Sequence, residues 1–287
     1  MTDRTGRDFP GLRVLDGMLA PNVAFVVTTR EAGASIGAFA RGNVADHVGD
    51  QVSAVTRNRT ALQQALGAAR GLAVIAAEHG GSCSRVHEAG IYGPVDALIT
   101  DTPGLGLVAL GADCAVIGIA GRRLDGTSVA GVAHCGWRGL VADILGSLVR
   151  GMVDAGGQNL QAVVGPTICG SCYPVDQVRA ERVIADCTPG VVEATVQVIA
   201  STGGAVTHHL DIQAGVHQRL TELGVDISVA FGCTAEDERW FSHRASISQW
   251  GAGAVTGRHA LGVVIGPESV AVGAGDAIDA GGAGDAR

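Results

Sequence analysis

The stretch that most restricts this chain is LGADCAVIGIAGRRLDGTSVAGVAHCGWRG, from Leu110 to Gly139. Two apolar runs flank a charged turn that is too short to hold a crossover helix, which makes them antiparallel neighbours. Cys114 and His134 interrupt these runs, each beside a motif of its own, Ala-Asp-Cys and His-Cys-Gly-Trp-Arg-Gly. They are either polar members of a core or two corners of a site.

At 287 residues the chain is long enough to bury a substantial core. No run of about 18 uninterrupted apolar residues is present, so no membrane span is expected. The charged start, MTDRTGRDFPGLRVLDG, has no apolar segment of the kind found in secretory signals, which makes the cytoplasm the expected location. Net charge is -8 without a basic cluster, which argues against nucleic acid but leaves room for a small anionic ligand. The seven cysteines are odd in number and follow no signal, so a disulfide framework is not expected.

Along the chain, NVAFVVTT, GLAVIAAEHG, VDALIT, LQAVV, ISVAF and HALGVVIG read as strands. VSAVTRNRTALQQALG, LVADILGSLVRGMV and IQAGVHQRLTELG carry helical spacing. This irregular alternation predicts an α+β fold, a single domain with a large mixed β-sheet flanked by helices. Residues 1–20 read as an N-terminal extension, 21–266 as the domain, and 267–287 as a flexible Gly/Ala/Asp-rich tail.

Three side chains fall in or near strand ends among small residues: His79, Cys114 and His134. If neighbouring strands bring them together, a Cys/His2 set with one open position suits a Lewis-acid zinc ion. Their spacing matches no local finger motif, so burial as ordinary core residues, the commoner fate of such side chains, is the leading reading at this stage. CGSC, Cys169 to Cys172, lacks the second CxxC of a zinc ribbon and reads as a loop-packing element. The Gly-Trp-Arg-Gly turn places Arg138 at a helix start, where it either meets an anion or pairs with a carboxylate. Arg57 and Arg59 carry the same ambiguity. Asp113, next to Cys114, points to the opposite face by strand alternation and is expected to serve structure. Ser242 and His243 are adjacent, but no nucleophile elbow supports a serine hydrolase.

Taken in order, TTREAGASIGAF, GNVADHVGD, VTRNRTAL, EHG, VDALITDTPGLGLVALGADC, VAHCGWRGLVADIL, VVGPTICGSCYPV, LDIQAGVHQRLTELGV, GCTAEDERWFSHR and TGRHA resemble the bacterial YfiH-type, or laccase-domain, proteins. The resemblance spans about Ala24 to Ile265. It implies a mononuclear zinc site on His79, Cys114 and His134, with copper as the alternative ion, in a single α+β domain. The chain departs from the family pattern at Ala77-Glu78-His79-Gly80, where Gln-Val-His-Gly is usual, and His87 lies near enough to serve as a substitute ligand. Other departures fall at Ala32-Gly33-Ala34-Ser35, at Gly111 and at Cys135.

The resemblance implies purine nucleoside chemistry: phosphorolysis of adenosine, inosine or methylthioadenosine, and adenosine deamination. An alternative is peptidoglycan editing by an amidase acting on a cytoplasmic muropeptide precursor. A third is a non-catalytic metal-binding role in the division and envelope machinery. A multicopper laccase is not expected, because nine histidines include no His-x-His pair. For phosphorolysis the expected anion pocket is Arg59, Ser35 and Asn43, with Arg138 as a further anion contact. Cys114 is expected to ligate metal rather than act as a nucleophile. A monomer is expected, with small-molecule partners only.

Overall fold

The computed structural model describes residues 6–9, 11–200 and 206–266. The tail at 267–287 lies outside the described residues. Ala115–Arg122 pairs antiparallel with Ser128–Cys135, with Ala115 opposite Cys135 and Arg122 opposite Ser128. Alternation sends Val116, Ala120, Ala130 and Val132 to one face and Ile117, Ile119, Val129, Ala133 and Cys135 to the other. Both faces are apolar, so both must be covered.

This hairpin is the centre of a six-stranded sheet. Its order is Asp226–Ala230, Gln158–Val164, Ala115–Arg122, Ser128–Cys135, Ala97–Thr100 and Cys83–Arg85. One face meets a seven-stranded sheet ordered Arg7–Phe9, Leu12–Ala20, Val23–Thr28, His259–Ile265, Gly106–Gly111, Leu72–Ile75 and Gly90–Tyr92. Phe25, Val27, Leu107, Leu261 and Val263 fill the space between the two sheets. Helices Ile144–Asp154 and Ile212–Glu222 cover the other face of the six-stranded sheet through Leu145, Leu148, Met152, Val216 and Leu220. Helix Val52–Leu66 covers the outer face of the seven-stranded sheet, setting Leu62 and Leu66 among Val14, Val26, Val108 and Val264.

The α+β class is thus as expected, with the strands divided between two mixed sheets packed face to face. A small third sheet orders Pro174–Val175, Val206–Leu210 and Val196–Ala200.

Three local differences matter for the site. Leu12–Ala20 pairs along Val23–Thr28 and buries Leu12, Val14 and Leu15, so the boundary expected at residue 21 falls inside a hairpin. The segment read as an extension contributes a strand to the domain. The helix predicted from LVADILGSLVRGMV is two helices, Trp137–Val141 and Ile144–Asp154. Asp143 breaks it: at φ 52° it takes the left-handed conformation, and its carboxylate caps the second helix at the Gly146 amide. Finally, the strand predicted to run to His79-Gly80 stops at Ile75, which leaves His79 on a loop.

Candidate metal centre

Gly106–Gly111 belongs to one sheet and Ala115–Arg122 to the other, so Ala112, Asp113 and Cys114 carry the chain between them. Such a corner needs a sharp reversal, and Asp113 supplies it at φ 97°. A non-glycine residue there costs on the order of 1–3 kcal/mol and persists only when its surroundings fix it. The Asp113 carboxylate accepts hydrogen bonds from the Thr234 hydroxyl (2.7 Å), the Ser242 hydroxyl (2.7 Å) and the Arg244 amide (2.6 Å). Asp113 therefore holds the corner, and Cys114 sits at its end.

The register that sets Ala115 opposite Cys135 brings Gly136 beside Cys114. A Cβ at residue 136 would lie 2.7 Å from the Cys114 Sγ, so a glycine is required there. One residue before Cys135 in its strand, the His134 Nδ1 lies 3.0 Å from the Asp96 Oδ1. Asp96 is fully buried, and its carboxylate also accepts from the amides of Glu78 (3.3 Å), His79 (3.0 Å) and Gly80 (2.7 Å). One carboxylate thus orients the His134 ring and gathers the loop that carries His79, which adopts φ 64°.

The outcome is a compact cluster. The ligand atoms of His79, Cys114 and His134 all lie within 4.8 Å of one another, and the two imidazoles meet edge to face at 4.7 Å. Burial pushes the Cys114 thiol up, but the His134 and His79 rings outweigh it and bring it to about 6. Burial pushes His134 down, and the Cys114 sulfur with Asp96 raises it to about 9. The Cys114 sulfur and the two histidines, His134 backed by a carboxylate and able to ligate once it gives up its proton, form a donor set that fits a zinc-type ion with an open position.

The cluster opens on a cleft of about 660 Å³, whose walls include Asp46, His47, Ala77, Leu110, His243 and Arg258. Arg258 precedes the strand that pairs His259 with Gly111, which brings its guanidinium to the Cys114 corner. Its Nη1 donates to the carbonyls of Thr256 (2.9 Å) and Gly257 (3.0 Å). Burial lowers its pKa below the ordinary arginine range. His243 is likewise held below its ordinary value, by burial first and by Arg258 second, and so stays neutral near pH 7.

The residues expected to form an anion pocket sit elsewhere. Arg59 donates to the Val44 carbonyl (2.7 Å) and pairs with Asp46 (3.1 Å). Asn43 is buried and ties together Ala45, Asp50 and the Arg258 amide. Ser35 is buried and accepts a hydrogen bond from Asn58 at 3.0 Å. None of the three lines the cleft. Arg138 is exposed and lies over the Trp137 ring at 5.1 Å, also away from the cleft. His87 is exposed beside Asp101 and Thr102, apart from the cluster. His243 and Arg258 lie in FSHR and TGRHA, stretches whose local spacing does not mark them as residues of this cleft.

Fold and site together define a two-sheet α+β domain that presents a His/Cys/His cluster able to hold a metal ion beside a cleft. The chain belongs to the multi-copper polyphenol oxidoreductase laccase family, whose model matches residues 24–266. It is 31% identical over 250 residues to purine nucleoside phosphorylase Rv2149c of Mycobacterium tuberculosis, covering 85% of this chain and 92% of that one. It is 36% identical to a Deinococcus radiodurans purine nucleoside phosphorylase, covering 84% and 91%. Among solved structures, YlmD from Geobacillus stearothermophilus superposes with a TM-score of 0.73 at 26% identity, covering 93% of this chain and all of that one. The Neisseria meningitidis protein NMB0706 superposes with a TM-score of 0.70 at 25% identity, covering 90% and 100%.

Proposed function

We propose that this chain is a metal-dependent purine nucleoside phosphorylase. The observation that carries the reading is Arg258. It is a largely buried cation in the same cleft as His79, Cys114 and His134, and it forms no ion pair with a carboxylate among the described residues. Its guanidinium is partly withdrawn from water and attracted by the Cys114 sulfur and Asp113 without a direct ion pair, so a dianionic co-substrate that meets it gains a charge-assisted contact. The names of the relatives point to the same reaction, which consumes phosphate.

A zinc ion on His79, Cys114 and His134 would supply Lewis acidity to an oxygen of the bound reactants. The protein's own groups do the rest. Arg258 holds phosphate by its unused guanidinium edge and steadies it as one oxygen bonds to the ribose C1′. The C1′–N9 bond breaks, its electron pair goes to the base, and the base leaves with the proton that the hydrogenphosphate gives up. Neutral His243 offers a hydrogen bond without competing for the anion. The Asn43–Asp50 loop carries Asp46 and His47 to the rim of the cleft, so Arg59 and Asn43 act by fixing that loop, and Ser35 by seating Asn58 beneath it.

The test is Arg258→Gln in zinc-loaded protein. The expected result is a KM for phosphate raised by at least about tenfold, in line with the loss of one charge-assisted contact of about 1.5–3 kcal/mol, with zinc content unchanged. An unchanged phosphate KM would remove Arg258 from the anion site. Adenosine deamination, and hydrolysis of a seryl muropeptide precursor, are the competing outcomes. Ammonia or free amino acid released without phosphate, in the absence of any phosphorolysis, would replace this reading.

A further inference from the structure

Cys169-x-x-Cys172 has a counterpart elsewhere in the chain: Cys233-x-x-Glu236. Gln158–Val164 and Asp226–Ala230 are parallel neighbours, so the loops that leave them emerge at the same end of the sheet. Three sulfurs and one carboxylate oxygen converge there, all within 4.8 Å of one another. The Glu236 Oε1 lies 3.6 Å from the Cys169 Sγ and 3.5 Å from the Cys172 Sγ. The Cys169 amide points at the Cys233 Sγ at 3.4 Å, the N–H to sulfur contact that steadies a metal-bound thiolate.

We propose that Cys169, Cys172, Cys233 and Glu236 form a second metal site, a tetrahedral Cys3Glu centre for a zinc-type ion, separate from the His79/Cys114/His134 centre. Tetrahedral zinc with Zn–S bonds of about 2.3 Å sets its sulfurs about 3.8 Å apart. A cluster spanning 4.8 Å therefore needs only a slight contraction. Two knuckles of the same x2 spacing on neighbouring loops are the layout of a structural zinc ribbon, with a carboxylate in the fourth place. Buried cysteines acting as small apolar residues do not explain the set, because Cys169 and Cys172 are partly exposed and Glu236 is fully on the surface side.

The location gives the site a purpose. Thr234, next to Cys233, donates to the Asp113 carboxylate at 2.7 Å, and the Ile168 amide, next to Cys169, donates to the Asp113 carbonyl at 3.0 Å. A metal that joins the two loops therefore clamps both flanks of the corner that positions Cys114. It acts as a staple, with its ligands closed to substrate.

The test counts metal in the purified full-length chain by elemental analysis, with thiols titrated after denaturation without reductant. Wild type is expected to hold two zinc equivalents, Cys169→Ser/Cys172→Ser one, and His134→Ala one. Should the double cysteine variant fold poorly, Glu236→Gln, altered only at an exposed residue, is expected to release its second equivalent to a chelator at least about tenfold more readily. Two results overturn the proposal: a single equivalent in wild type that His134→Ala removes completely, or five titratable thiols among the seven cysteines, which would mark a disulfide instead. Because the readout is metal content and thiols, its outcome is independent of the activity proposed for the cleft.

Discussion

At the residue scale, Gly136 and Asp96 decide whether His79, Cys114 and His134 can converge. Gly136 leaves room for the Cys114 sulfur, and Gly136→Ala places a Cβ 2.7 Å from it. Each residue of this contact adjoins a paired strand, at Ala115 and at Cys135, so the sulfur must move. Zinc affinity of that centre is expected to fall by at least about tenfold, measured by chelator competition. Affinity equal to wild type would mean that Cys114 is not a ligand. Asp96→Asn retains the size of the side chain but removes the charge facing His134 and the three loop amides. A loss of about 10–100-fold in affinity is expected, as for other partners of metal-bound histidines, and no loss would separate Asp96 from the centre.

Cys114 and His134 could be picked out of the sequence because each sits where an apolar strand ends beside small residues. His243 and Arg258 could not, for a physical reason. Arg258 reaches the Cys114 corner only through the pairing of His259 with Gly111, a register across nearly 150 residues that no local pattern encodes. Glu236 escaped notice for a similar reason, since its knuckle lacks the second cysteine that would flag it.

At the element scale, the break at Asp143 shows what local patterning misses. The apolar spacing from Leu140 to Val149 is continuous, and periodicity alone gives one helix. Asp143 interrupts it by capping the next segment and pairing with Arg219 across the interface at 2.9 and 3.0 Å. Burial pushes the Asp143 carboxyl up, but the bonds from Arg219 dominate and hold it below the usual carboxylate range. A depressed carboxyl contributes stability that is complete above its unfolded value of about 3.9 and is lost as pH falls through the lower folded value. Asp143→Asn, which tolerates the left-handed backbone, is therefore expected to lower Tm at pH 7, with the difference from wild type closing as pH falls through the depressed folded value. A difference that persists unchanged in acid would assign the effect to the backbone break instead of the ion pair. The N-terminal strand was also hard to read, because Leu12–Ala20 mixes charged and small residues and gains its partner only in the hairpin with Val23–Thr28.

At the scale of the whole molecule, the two-sheet sandwich exists because the central strands are apolar on both faces, and their alternation demands a cover on each. The His79/Cys114/His134 cluster forms where the chain passes from one sheet to the other, so its side chains come from the rim of the sandwich while the core lies beneath them. Among the described residues no helix is long and apolar enough to cross a membrane. The cleft beside the cluster joins a softened thiolate, two histidines and an arginine with no carboxylate ion pair among the described residues, and the proposed function rests on that combination. The most direct measurement is product analysis for the zinc-loaded protein with inosine or adenosine, with and without phosphate, against His134→Ala. The account predicts free base and ribose 1-phosphate in equal amounts from wild type only when phosphate is present, and none from the variant. Base release that ignores phosphate, or that survives in His134→Ala stripped of zinc, would contradict it.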